Sequence, residues 1–141
     1  MKTNKGSANW KGGLKDGTGT ISTPSGVLEQ VNYGFNKRFG DEPGTNPEEL
    51  IAAAHASCFS MALSMVLGEA GFTADDISTE AKVTLEEKDG GFAVTKSHLT
   101  VTAQVPGAGA EDFHKAATVA KENCPISKLL NAEITMDASL N

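Results

Sequence analysis

A chain of 141 residues has room for one domain with a real core, so any function must fit one fold or its oligomer. Eighteen acidic against twelve basic residues give a formal charge of −6 with no Lys/Arg cluster, which argues against nucleic acid as a partner. Eleven of the twelve basic residues are Lys and the twelfth is Arg38, and the chain carries two Cys, at 58 and 124.

The first residues, Met1-Lys2-Thr3-Asn4-Lys5-Gly6, are followed by no apolar run, so no secretory signal is expected and a cytoplasmic address is. Alternating polar and apolar residues with Gly punctuation predict short strands over 7–11, 17–22 and 26–32. The segment 33–44 holds three Gly, a Pro, three aromatic rings and the sole Arg. It reads as a loop that lines something rather than a linker.

Asn46-Pro47-Glu48-Glu49 opens a helix by several signals at once. Asn46 is a cap, Pro47 occupies the first helical position, and carboxylates fill the first turn, with Glu49 at the capping-box position. The helix is expected to run to about Glu69, where Gly68 and Gly71 end it. Residues 50–67 contain no Asp, Glu, Lys or Arg and just reach membrane-spanning length. Their Ala and Ser content and the flanking Glu48, Glu49 and Glu69 favour a helix buried in a protein over insertion in a membrane. Leu50, Ala54, Met61 and Met65 make one apolar stripe, while Phe59, Leu63, Val66 and Leu67 lie on other sides, so the helix should be covered on most faces.

Residues 77–88 and 92–105 alternate as two long strands joined by Asp89-Gly90-Gly91, a hairpin signal. Residues 110–124 return to a helical period in which Phe113, Ala117, Ala120 and Cys124 share one face. Pro125 breaks the helix at Cys124. A further turn over 126–130 and an alternating strand over 132–140 complete a chain read as one domain over 1–141.

Cys58 in a covered helix has a plain reading as a small apolar filler, since free Cys is among the most buried residue types. Burial alone would raise its pKa and leave it inert, so a reactive Cys58 needs a fixed positive charge, and Arg38 is the one guanidinium available. Should the two Cys meet, they read either as an attacking and a resolving thiol or as a structural disulfide, which a reducing compartment disfavours. Glu49 is explained by capping, and as an acid it is also a candidate to orient Arg38. Glu49 and Cys58 are nine residues apart, about 13.5 Å along a helix axis, so an Arg serving both asks for an antiparallel partner helix from a second copy. His55, one turn before Cys58, admits a Cys-His nucleophile pair, and His55, Cys58, His114 and Cys124 admit a zinc site; both signals are weak.

Three segments carry a family resemblance: Tyr33-Gly34-Phe35-Asn36-Lys37-Arg38-Phe39, the run from Gly44 through His55 and Cys58 to Ala62, and Asn123-Cys124-Pro125-Ile126-Ser127. With the Ala-Glu-Ile-Thr strand near the end, the whole chain resembles the OsmC/Ohr family of thiol peroxidases, on the osmotically inducible protein C branch. The resemblance implies an α+β intertwined homodimer with antiparallel sheets around long central helices and two sites at the subunit interface. It implies Cys58 as the peroxidatic thiolate, Cys124 as the resolving thiol, Arg38 as the residue that stabilises the thiolate and positions the peroxide, and Glu49 as its orienting carboxylate. It further implies stress defence against organic hydroperoxides, no metal, haem or flavin cofactor, and a dithiol reductant, with lipoylated proteins the leading donors. A non-catalytic redox-sensing or metal-binding dimer is the alternative, and a structural dimer with two inert thiols a third reading.

Overall fold

The computed structural model describes residues 1–141 and places them in two compact units, Met1–Leu50 and Ile51–Asn141. Helix α2 crosses the boundary between them without a break.

The first unit is an antiparallel sheet of β1 (Ser7–Lys11), β2 (Thr18–Ser22) and β3 (Val31–Tyr33) in that order, followed by the short helix α1 (Phe35–Phe39) and the start of α2 (Pro47–Glu69). Two expectations shift here. The strand expected over 26–32 begins only at Val31, because Thr23–Gln30 folds back on itself through Thr23 and Ser25 hydroxyl bonds, with Gln30 at positive φ. The loop of 33–44 also contains a helical turn, α1, whose Phe35 and Phe39 rings meet one turn apart at 4.9 Å. Gly19 on β2 has no side chain because Trp10 and Tyr33 close over it: a β-carbon there would stand 2.5 Å from Tyr33 Cε1 and 2.6 Å from Trp10 Cε3.

In the second unit, β4 (Asp76–Lys88) and β5 (Gly91–Gln104) pair antiparallel through a two-residue turn, with Asp89 and Gly90 both at positive φ as a right-twisted hairpin requires. Helices α3 (Ala110–Asn123) and α4 (Pro125–Leu129) then carry the chain to β6 (Glu133–Leu140), which lies parallel to β5. The sheet is therefore mixed and not wholly antiparallel, since a helical crossover returns the chain in the same direction. Alternate residues of β5, from Ser97 through Leu99, Val101 and Ala103, face the core. They meet Phe59, Leu63 and Leu67 of α2 and Phe113, Ala117 and Ala120 of α3.

Helix α2 is long and apolar enough to cross a membrane by length and composition. Its face spaced by four, His55, Phe59, Leu63 and Leu67, is fully buried in this core. The opposite face is open, with Met61 76 % and Met65 61 % exposed. The expectation of cover on most faces is thus met on one side only within a single chain.

Candidate active site

In the first unit the candidate site residue is Arg38, near the end of α1. Its Nε donates to Glu48 Oε1 at 2.6 Å and its Nη2 to Glu48 Oε2 at 3.1 Å, a side-on bidentate pair. The carboxylate that orients the guanidinium is therefore Glu48, and the expectation for Glu49 is corrected. The two differ by about 100° around the helix. Glu48 is turned inward and buried, whereas Glu49 is exposed and accepts from Thr45 Oγ1 at 2.6 Å. The Glu49 N–H donates to Asn46 Oδ1 at 2.8 Å, which is the cap expected of Asn46, while the Glu49 carboxylate turns to Thr45 and does not close the capping box. Asn46 also donates from Nδ2 to the Lys37 carbonyl at 3.0 Å, tying the start of α2 to α1.

Gly44 sits between them at φ +144°, and a β-carbon there would collide with the Lys37 side chain. The Arg38 guanidinium lies 5.5 Å from the Phe39 ring centre, over its face. Beside it opens a cleft of about 250 Å³ walled by Trp10, Leu14, Tyr33, Phe35, Phe39 and Pro47. Tyr33, Phe35 and Phe39 are the three rings of the segment read from sequence as lining something, whereas Met61, a further candidate for an apolar wall, is not among the cleft residues. Trp10 was missed, because only the β1–β2 pairing carries it across to Tyr33, at 5.5 Å between rings.

In the second unit the two thiols come together. Both are free; Cys58 is half-buried on α2 and Cys124 fully buried at the α3–α4 junction. Pro125 holds Cys124 at ψ 132°, out of the helix, so that its sulfur turns back over the first turn of α4. There it accepts from the Ser127 N–H and from Ser127 Oγ, each at 3.4 Å.

Burial pushes the Cys58 thiol up, a bond from the Ile126 N–H opposes this, and the hydrogen bond to Cys124 with its charge pushes up again. For Cys124 burial also pushes up, but the Ser127, Cys58 and Ile126 donors together outweigh it and the net direction is down. Within one chain the donors gathered around Cys124 thus make it the more acidic of the two thiols, and burial makes Cys58 the less acidic. The positive charge that Cys58 needs to become the thiolate is not supplied by its neighbours in this unit.

His55 is buried with both ring nitrogens engaged, Nδ1 with Ser97 Oγ and Nε2 with Ser127 Oγ, each at 2.7 Å. Burial lowers its pKa and keeps the ring neutral. No group of three His, Cys, Asp or Glu side chains converges anywhere, so the four-ligand zinc reading has no geometry to stand on. Ser97 and Ser127 were not singled out from sequence, lying 42 and 72 residues from His55.

Residues 40–139 match the family model described as OsmC-like protein. A protein named Peroxiredoxin OsmC from Escherichia coli (strain K12) is 57 % identical over 136 residues, 96 % of this chain and 95 % of that protein. Organic hydroperoxide resistance protein OhrB of Bacillus subtilis (strain 168) is 31 % identical over 123 residues, 86 % of this chain and 88 % of its own length. Among solved structures, an organic hydroperoxide resistance protein from Elizabethkingia anophelis superposes with a TM-score of 0.75 at 29 % identity, covering all of both chains.

Proposed function

The chain belongs to the OsmC-like family, and from that premise we propose that it is a thiol peroxidase that reduces organic hydroperoxides to alcohols through Cys58 and Cys124. The carrying observation is the thiol pair itself: a half-exposed Cys58 hydrogen-bonded to a fully buried Cys124 that sits 66 positions away in the chain and is loaded with donors. Two thiols kept in contact and unlinked suit a reaction that links them.

In the first step the Cys58 thiolate attacks the nearer peroxide oxygen, the O–O bond breaks, and the alkoxide leaves and takes a proton to become the alcohol. Cys58 is left as the sulfenic acid. Cys58 is the attacking sulfur because a substrate can reach it, whereas Cys124 is fully enclosed. Its thiolate requires a fixed positive charge, and the reading assigns this to Arg38, whose fork favours charge on sulfur and on the departing oxygen. Glu48 holds that fork in one orientation. The aromatic cleft beside Arg38 suits an alkyl or aryl tail better than hydrogen peroxide.

A homodimer completes the site. The bare Met61–Met65 face of α2 needs a partner, and a second copy crossing antiparallel along it would bring its Arg38 and Glu48 to Cys58. A dithiol, with lipoylated proteins the leading donors, would reopen the Cys58–Cys124 disulfide in a reducing cytoplasm.

The test is single turnover with one equivalent of cumene hydroperoxide, reading cumyl alcohol and thiol state in the two single-Cys variants. Cys124→Ser should yield one alcohol and a trappable sulfenic acid at Cys58, and Cys58→Ser should yield neither. Alcohol formation by Cys58→Ser at the wild-type rate would refute the assignment.

A further inference from the structure

A stripe of α2 that packs Phe59, Leu63 and Leu67 into the core begins with a histidine, His55, although an aliphatic side chain would serve packing at that position. The buried imidazole is held at both ends, and its second partner, Ser127, touches Cys124. Resting on the peroxidase reading above, we infer that His55 is a positioning residue which, through Ser127, holds the Cys124 sulfur ready to resolve the Cys58 sulfenic acid.

The direction of the hydrogens follows from counting them. Ser127 Oγ has one hydrogen and places it on Cys124 Sγ. Its lone pair must then receive the Nε2–H of His55, across 2.7 Å. A neutral imidazole has one N–H, so Nδ1 is an acceptor and takes the hydroxyl hydrogen of Ser97, also at 2.7 Å. Every hydrogen in the line Ser97, His55, Ser127 therefore points toward sulfur, and the Ser127 N–H adds a second donor to the same atom. Burial, which keeps His55 neutral, preserves this polarity. All four residues belong to the second unit, on β5, α2, α4 and the α3–α4 junction. No buried side-chain polar atom is left without a partner.

The step served is the second one. The Cys124 thiolate places an electron pair on the Cys58 sulfur, the S–S bond forms, and the S–O bond breaks. Hydroxide leaves and combines with the proton that Cys124 had given up, forming water. The Cys124 sulfur is oxidised and the Cys58 sulfur is reduced, both ending at the disulfide level, and the oxygen, already reduced when the O–O bond broke, leaves as water. The relay acts on the nucleophile of this step and leaves the peroxide-breaking step to Cys58 and Arg38.

The experiment has two arms on the full chain. In a Cys58→Ser background, ultraviolet thiolate absorbance against pH reads the Cys124 pKa: adding Ser127→Ala or His55→Leu should raise it, and Ser127→Thr, which keeps the hydroxyl, should restore it. With both Cys present, one equivalent of cumene hydroperoxide followed by dimedone trapping reads how long the sulfenic acid lasts. Ser127→Ala and His55→Leu should slow disulfide formation about tenfold relative to the alcohol burst, as expected for losing one hydrogen bond to a charged group. Ser127→Thr should resolve within about twofold of wild type. An unshifted Cys124 pKa, with resolution at the wild-type rate in Ser127→Ala, would overturn the inference even if His55→Leu folds poorly. Absence of an alcohol burst in the wild type would instead sink the peroxidase reading, and the pKa arm would then decide the relay alone.

Discussion

Replacing Glu48 by Gln separates the two carboxylates at the start of α2. The substitution keeps the shape and one acceptor but removes the charge that holds both Nε and Nη2 of Arg38. A hydrogen bond to a charged group contributes about 1.5–3 kcal/mol. The Arg38 side chain is 37 % exposed, which places the loss toward the lower end through solvent screening. At about 1.4 kcal/mol per tenfold, kcat/KM for cumene hydroperoxide should fall about tenfold in Glu48→Gln. Glu49→Gln loses only the bond from Thr45 and a first-turn charge. It should stay within about twofold in kcat/KM and lower Tm by about 2 °C, as expected for a weakened helix start. Steady-state turnover with a dithiol reductant, measured for both variants with scanning calorimetry alongside, reads the two effects. Equal losses, or a loss confined to Glu49→Gln, would refute the assignment of Glu48 as the residue orienting Arg38.

Arg38→Lys keeps the charge and loses the fork, so alcohol formation in single turnover should fall at least about tenfold. Retention of the wild-type rate would show that charge alone suffices. Met61→Lys puts a cation in the centre of the open face of α2; sedimentation should show a dimer in the wild type and a monomer in the variant, with activity lost in step. Buried His55 has a folded pKa below its ordinary 6.5, so the unfolded chain binds more protons as pH falls below that value. Stability should therefore be full above pH 6.5 and decline as pH falls toward the folded value. The slope of Tm against pH between 7 and 5 should flatten in His55→Asn, and an unchanged slope would mean that His55 is not the group responsible.

Much of this arrangement was legible in the sequence where the signal is local. The Asn46-Pro47 start of α2, the Asp89-Gly90 turn and the Pro125 break each state their backbone geometry in two or three residues. Glu48 and Glu49 could not be told apart by position, because both stand in the first turn, and which one points inward depends on where α1 lies. The short helix α1 was hidden by Gly34, Gly40 and Gly44, whose punctuation reads as loop although a turn of helix fits between them. Likewise, β6 could not be known to run parallel from its alternation, since period two is the same in either direction. The line from Ser97 to Cys124 had no local signal at all: serine is common in strands and turns, and only the packing of α2 between β5 and α4 makes these serines partners of one imidazole.

The central claim is that Cys58 and Cys124 are consumed together by a hydroperoxide. Counting free thiols per chain before and after one equivalent of cumene hydroperoxide, with the linked peptides identified by mass, tests it most directly. The account predicts that two thiols fall to none, with one alcohol formed and a single Cys58–Cys124 link. Two thiols surviving alongside unreacted hydroperoxide, or an oxidised Cys124 with Cys58 still free, would contradict it.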